Sequence, residues 1–445
     1  MIQDKLPIGR KILFSLGSTG FYAPAFFLST YLFIFYAPTA KGSVVIVSSL
    51  LVGVAYFVGT LIQAVANPFI GNWSDKASYK IGRRRFFIVT GLAPLALFFF
   101  LIWVPFFSSI NQFILLLIDM VGYNFFFAYV VLPYLALIPE LSVTVKDRVR
   151  LTTIMGYFSI LGLVLASLIP LVLLSVGFGF NTVGGVMTAI LLVTFLIVYA
   201  TTEERVDDAK KPAAMSFIDA VVQTFKNHTF NRYIVAYLFF QFGFYFILSA
   251  IGYMVEDLVF PNLPSTSSQA YVGLVTLMAV IFTVLSSPIL IKYTDKRGEK
   301  KSFILFTSIL SLSFFLMPLV GILPVSIRFW SLIPILLVTG LGLTSYFILP
   351  NAILSEIIDE DEENTGFRRE AMYFGVQGFL ERVPSALAGF ILGVWIHFLY
   401  RPTSDPVYIM LLGVVAGAST LATAILFLRV PLKEKSREIS GSETG

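Results

Sequence analysis

Runs of about twenty apolar residues recur along the whole chain, and a helix of that length rises ~30 Å at ~1.5 Å per residue, enough to cross a hydrocarbon core. Twelve such spans are read, at roughly 12–36, 44–73, 86–108, 111–139, 151–176, 180–200, 232–257, 268–293, 302–323, 328–357, 371–399 and 406–429. With 13% of residues charged, against about a quarter in soluble domains, the expected class is an all-α membrane protein. The first run is too long for a signal-peptide core and no small-residue cleavage pattern follows it, so it is read as a span. The chain has no Cys. That excludes disulfides, thiolate metal sites and cysteine nucleophiles together.

Lys and Arg in short loops mark the cytoplasmic side. Of the 31 basic residues all but Lys41, Arg328, Arg401 and Arg382 fall on one side, which predicts a multi-pass protein of the cell membrane with both termini cytoplasmic. The first three lie in loops or at a span edge on the other side, and only Arg382 falls deep within a span. The net charge of +5 is this loop bias, and no nucleic-acid partner is expected. One long polar connection, with Glu203, Glu204, Asp207, Asp208, Lys210, Lys211 and Pro212, separates two sets of six spans. The expected divisions are an N-terminal six-helix bundle at 1–200, a cytoplasmic linker at 201–231, a C-terminal bundle at 232–430 and a disordered tail at 431–445. Phe217, Ile218, Val221, Val222 and Phe225 recur in the linker at helical spacing, as in an amphipathic surface helix.

The halves echo each other. Pro68, Asp75 and Lys76 return as Pro288, Asp295 and Lys296, each displaced by 220 positions. Leu132-Pro133 and Leu349-Pro350 each precede an acid, an arginine and then Gly156 or Gly375. Repeats this long imply a duplicated domain rather than a solenoid.

A polar side chain in lipid is costly, so each one within a span is a candidate for a wet cavity or a protein interior. Tyr22, Gln63, Asn124, Gln241, Tyr245, Thr344, Tyr346 and Arg382 come out near mid-membrane and are drawn from both halves, as a central substrate cavity between two pseudo-symmetric bundles requires. Arg382 is the sharpest candidate, weighed against a structural tie to a carbonyl or carboxylate. Its neighbour Glu381 should point about 100° away along a continuous helix, which argues against a clean pair. Asp119, in the outer half of its span, and Glu381 are candidates for proton coupling. Gln63 and Asn67 serve equally well as interhelical hydrogen-bond glue. In the loop after span two, Asp75 lies close to Arg83, Arg84 and Arg85, and with Asp295 in the second copy these residues form a candidate cytoplasmic gate. The plainer alternative is a basic anchor alone, which would need neither the aspartate nor the glycines at 71 and 82.

The run G-N-W-S-D-K-A-S-Y-K-I-G-R-R-R at 71–85 resembles the loop between helices two and three of the major facilitator superfamily, in the version found in glycoside-pentoside-hexuronide:cation symporters, relatives of melibiose permease. L-P-Y-L-A-L-I-P-E-L at 132–141 followed by D-R-V-R at 147–150, and S-E-I-I-D-E-D-E-E-N-T-G-F-R-R-E-A-M-Y-F-G at 355–375, are similar to two further stretches of that family. The resemblance spans the chain and implies twelve helices in two six-helix bundles and cation-coupled transport of sugars or sugar-like solutes. It also marks departures. The two aspartates that resemblance places in helix two fall at Gln63 and Asn67, which can neither take up a proton nor offer sodium a negative charge. Family acids in helices one and four fall at Tyr22 and Val131, and a helix-five arginine at or beside Gly156 and Tyr157. Of these positions only the basic residue of helix eleven persists, as Arg382. A coupling proton thus remains open, and sodium is not expected at the usual family site.

The leading reading is a transporter of a sugar, glycoside or similar small polar solute by alternating access, either ion-coupled or facilitative, acting as a monomer in the lipid bilayer. Movement of an amphiphile such as a lysolipid is the alternative on the same fold. A solute-binding receptor is disfavoured, since no long loop could house a signalling domain. No cofactor, metal site or enzymatic constellation is read: His228 and His397 are far apart, G-F-G-F-N-T-V-G at 177–184 follows no strand, and N-H-T at 227–229 falls on the cytoplasmic side.

Overall fold

A computed structural model describes residues 7–39, 43–107, 109–142, 144–202, 217–366, 369–399 and 407–432. The linker residues Glu203 to Pro212, the tail beyond 432, Lys41, Arg368 and Arg401 lie outside the described residues, as do the side chains of Asp75, Phe217 and Ile218. The helices are α1 (Ile8–Tyr36), α2 (Ser49–Lys76), α3 (Arg83–Ile102), α4 (Ser109–Ala136), α5 (Ile138–Leu141), α6 (Val145–Ser175), α7 (Phe180–Thr201), α8 (Phe217–Thr224), α9 (His228–Tyr253), α10 (Ser265–Arg297), α11 (Glu299–Leu316), α12 (Val325–Thr365), α13 (Glu370–Leu380), α14 (Arg382–Leu399) and α15 (Val407–Phe427). A π-helical turn, Met254–Val259, continues α9, and a 3₁₀ turn, Met317–Ile322, continues α11.

Among the described residues twelve helical stretches are long and apolar enough to cross a membrane. They form two bundles with one packing plan. In the first, α1 packs on α6 and α7, α2 on α4, and α3 on α4 and α7; in the second, α9 packs on α14 and α15, α10 on α12, and α11 on α12 and α15. Span for span these are the same pairings. Between bundles, α2 meets α14, α6 meets α10, and α1 meets α9, again symmetrically. This is the major facilitator fold.

The loop chemistry repeats too. Gly82, before α3, and Gly298, before α11, take φ of 103° and 80°, a backbone that residues bearing a Cβ rarely adopt. Elsewhere side chains open the helices: Thr144 Oγ1 accepts from the Asp147 amide at 3.2 Å to start α6, and Asn227 Oδ1 accepts from that of Phe230 at 3.0 Å to start α9. The charged loops after α2 and α10 define a basic end of the molecule. Thr39 and the π-helical turn lie at the opposite, far end.

The two ends differ in how the bundles meet. At the far end backbones nearly touch: a Cβ on Gly53 would come within 3.2 Å of Gly389 O, Phe390 O and Gly393 Cα, and Gly273 leaves no room for one beside Ser167 O. Small residues permit this approach, which supplies the packing that lipid does not. Hydrogen bonds tie the same end. Tyr253 donates to Ala37 O at 2.9 Å and to Phe33 O at 3.2 Å, and Thr39 to Asp257 Oδ2 at 2.7 Å. Toward the basic end, Cβ positions built on Gly156, Gly375 and Gly378 meet nothing within 4 Å. The bundles are sealed at the far end and parted at the basic end.

Candidate functional site

The span read as 371–399 is not one continuous helix. Pro384 has no N–H to give and its ring crowds the carbonyl four residues back, at Leu380. Leu380 is the last residue of α13, and α14 begins at Arg382. Glu381 sits in the break. Glu381 itself keeps a helical backbone, φ −64° and ψ −18°, and Arg382 Nη2 lies 3.9 Å from Glu381 Oε1, a loose approach in keeping with the expected divergence rather than a clean pair.

Around this break α9 presents Tyr233, Tyr237, Gln241 and Tyr245, four residues apart and hence on one face. Tyr233 donates to Gln377 Oε1 at 2.8 Å and to Pro350 O at 3.1 Å. Its ring stacks on that of Tyr237, centroids 5.6 Å apart. The Tyr237 hydroxyl donates to Glu381 Oε2 at 3.1 Å. Gln241 Nε2 donates to the Tyr237 hydroxyl at 2.7 Å and to Glu381 Oε2 at 3.3 Å. Tyr245 and Tyr346 interact through their hydroxyls, and both feel the charge of Glu381. Tyr346 is held by Phe244, stacked at 3.9 Å. The stripe leads from the basic end to the middle of the molecule.

The first bundle faces it with tyrosines. Tyr22 is 39% exposed in mid-helix, and because it feels both Glu381 and Arg382, that exposure is to the gap between bundles rather than to lipid. Tyr56 and Tyr123 are electrostatic neighbours of Arg382, and Tyr56 reaches Ser385 Oγ at 3.4 Å. Three buried polar atoms in this cluster have no hydrogen-bond partner: Tyr123 Oη, Gln241 Oε1 and Arg382 Nε. Such groups are costly when dry and unpaired, and native proteins leave few of them. They mark a place built for a polar guest.

The structure thus brings together Tyr22, Gln241, Tyr245, Tyr346, Glu381 and Arg382 from the expected set. Gln63 is buried two turns from Tyr56, toward the basic end on the same face of α2. Asn124, next to Tyr123 in α4, is buried and donates to Met120 O at 2.8 Å beside Gly59 of α2. Asp119, 6% exposed, lies near Tyr36, away from the cluster. Tyr56, Tyr123, Tyr233 and Tyr237 were not singled out from the sequence, although a period of four through 233, 237, 241 and 245 is readable there.

At the basic end Arg83 and Arg84 both pair with Glu140, and Arg84 also donates to Ala136 O. Arg85 donates to Tyr199 O at 3.0 Å with its guanidinium over the Tyr199 ring. Lys11, 3% exposed, is bonded to Asp147. Glu140, a carboxylate on Arg83 and Arg84 among the described side chains, lies inside the L-P-Y-L-A-L-I-P-E-L motif. Asp75 is described only as backbone in the last turn of α2, and Asp295 lies in the last turn of α10.

Known proteins place the chain. An uncharacterised symporter of Synechocystis sp. is 24% identical over 91% of this chain and 88% of its own length. The isoprimeverose transporter of Lactiplantibacillus pentosus is 22% identical over 88% and 80%. Among solved structures, the nucleoside transporter NupG superposes with a TM-score of 0.71 at 14% identity, covering 96% of this chain and all (100%) of the other. A D-xylose-proton symporter does so with a TM-score of 0.67 at 14% identity, over 95% and 97%. The family model for MFS/sugar transport protein matches residues 13–432, so this multi-pass membrane transporter belongs to the MFS/sugar transport family.

Proposed function

We propose that the chain moves a sugar, glycoside or similar hydroxyl-rich solute across the cell membrane by alternating access, with both termini and the basic end in the cytoplasm. The observation that carries this is the convergence, from both bundles, of unpaired buried polar atoms on Tyr123, Gln241 and Arg382. A polyol offers each of them a partner, and tyrosine rings beside it stack on the apolar faces of a pyranose. A lysolipid is disfavoured by the same cluster, whose tyrosine hydroxyls, amide and ion pair would face an acyl chain unpaired. The names of the similar isoprimeverose transporter and D-xylose-proton symporter agree with the first choice.

Bound solute would close the parted basic end over itself, and the far-end seal would then open. Arg83, Arg84 and Arg85, through Glu140 and Tyr199, hold the first bundle's cytoplasmic ends together so that it rocks as a unit. Asp75 and Asp295, in the last turns of α2 and α10, act in this reading with these arginines as the cytoplasmic gate. Gln63 and Asn124 act in this reading at the edge of the solute path, and the carrier works as a monomer.

The test is counterflow of labelled D-xylose, isoprimeverose and uridine in vesicles holding the purified protein. At least one sugar should exchange, and Arg382→Gln should abolish that exchange while expression and melting temperature stay near wild type. Full exchange by the variant removes Arg382 from the site. Export of a lysolipid with no sugar exchange overturns the solute class.

A further inference from the structure

We propose that Glu381 carries the coupling proton, and that the Gln241 amide reads whether the proton is there. The inference rests on the transport reading above. Of the two acids weighed for proton coupling, Asp119 and Glu381, only Glu381 belongs to the cluster that both bundles share. Its side chain keeps 25% exposure to the gap and that of Arg382 keeps 27%, so water reaches it while the basic end is parted. Facing it are Arg382 beside it, Tyr233, Tyr237 and Tyr245 from α9, Tyr346 from α12 and Tyr22 across the gap. Arg382 is the one basic group among them.

The hydrogen bonds around Glu381 have two self-consistent settings. As a carboxylate it accepts from Tyr237 and from Gln241 Nε2, and its other oxygen faces the Arg382 guanidinium. Gln241 Oε1 is then left over, buried and without a partner. When one proton adds to the carboxylate, the carboxylic acid becomes a donor. The amide turns over, its oxygen accepts from the acid, and its NH2, carried to the side where the oxygen had no partner, is left for a solute hydroxyl to meet. A terminal amide has one nearly two-fold torsion for this. No other side chain need move.

The second setting also changes Arg382. It loses its counter-charge, and its donors turn to the hydroxyl oxygens of a solute. A proton on Glu381 therefore favours solute on Arg382, and by linkage solute favours the proton to the same factor. That reciprocity is what coupled transport requires. One proton enters with the solute and one leaves with it, and the carboxylate is regenerated. Tyr233, Tyr237 and Gln377 line the way from Glu381 to the basic end, a hydroxyl and amide route for the proton.

The experiment uses the full chain in vesicles with labelled D-xylose and isoprimeverose, whichever exchanges. Wild type should accumulate the sugar at least tenfold on an inward proton gradient. Glu381→Gln, which can still accept from Tyr237, should exchange sugar at a rate that no longer varies with pH and should lose accumulation entirely. Gradient-driven accumulation by Glu381→Gln overturns the proposal and leaves the transport reading intact. Absence of any exchange by wild type defeats the transport reading instead. Infrared titration gives a readout free of sugar: wild type should show a protonated-carboxyl band that Glu381→Gln lacks, and an identical band in both overturns the assignment. Gln241→Leu separates the reader from the carrier. Its exchange should be slower, because the amide also meets the solute, and the pH profile of the exchange that remains should be displaced by about one unit, a tenfold change in proton concentration; an undisplaced profile refutes the amide's role.

Discussion

Tyr123 is a sensitive probe of the cluster because its hydroxyl is buried and unpartnered while its ring is packed between Phe99 and Phe127. Tyr123→Phe keeps the ring and removes only the hydroxyl. Protein stability should hold or rise slightly, and solute affinity should fall by about fivefold, the loss of one hydrogen bond of about 1 kcal/mol. A thermal-shift titration reads both quantities at once, and unchanged affinity would place the solute elsewhere. At this scale the site was half legible. Arg382, Gln241 and Tyr22 stand out in a span because charge, amide or expected depth makes them conspicuous. Tyr56, Tyr123 and Tyr237 do not, because in a chain with 20 Tyr and 45 Phe a tyrosine reads as one more lipid-compatible ring. Only the partner of its hydroxyl distinguishes it, and that partner comes from another helix.

Among the elements, the α13–α14 break matters most, since Glu381 and Arg382, both members of the cluster, sit at it. Pro384→Ala restores the missing N–H and relieves the crowding at Leu380, letting the two helices fuse. The variant should melt at a higher temperature yet bind solute about tenfold more weakly, because a fused helix can no longer flex where Glu381 and Arg382 meet the solute. Equal affinity in a more stable Pro384→Ala protein would make the break incidental. The proline was visible in the sequence, and its rule would have located the interruption; the uniform hydropathy of the run concealed it. The π-helical turn had no such marker. Glu256 and Asp257 fall where a span ends, and their burial among Thr39, Ser265, Ser268 and Tyr408 depends on the opposing bundle and on α15.

For the whole molecule, twelve apolar runs, one basic side and a long-period echo were enough to specify the architecture, because in lipid the backbone leaves a helix few alternatives. Which end is sealed was not legible, since both states use the same helices. The glycine contacts answer that, and they make a prediction: Gly273→Leu should wedge the far end apart and shift the population away from the state seen here. The natural absence of cysteine helps the measurement. Ile34, 1% exposed beneath Gly252, replaced by Cys, should react with a membrane-impermeant maleimide several-fold faster in the Gly273→Leu background than without it. Equal rates would mean that the seal does not govern access. The pairing of Glu381 with Arg382 on one break also bears on electricity. Both charges ride in the second bundle, so the empty carrier swings a neutral pair through the membrane field, whereas the protonated, loaded carrier swings one uncompensated guanidinium. Moving a full charge through 100 mV is worth about 2.3 kcal/mol, and some fraction of that acts on the loaded step alone. Sugar entry should therefore quicken with an interior-negative voltage while the return of the empty protein stays flat, an asymmetry that transport currents recorded at stepped potentials would expose.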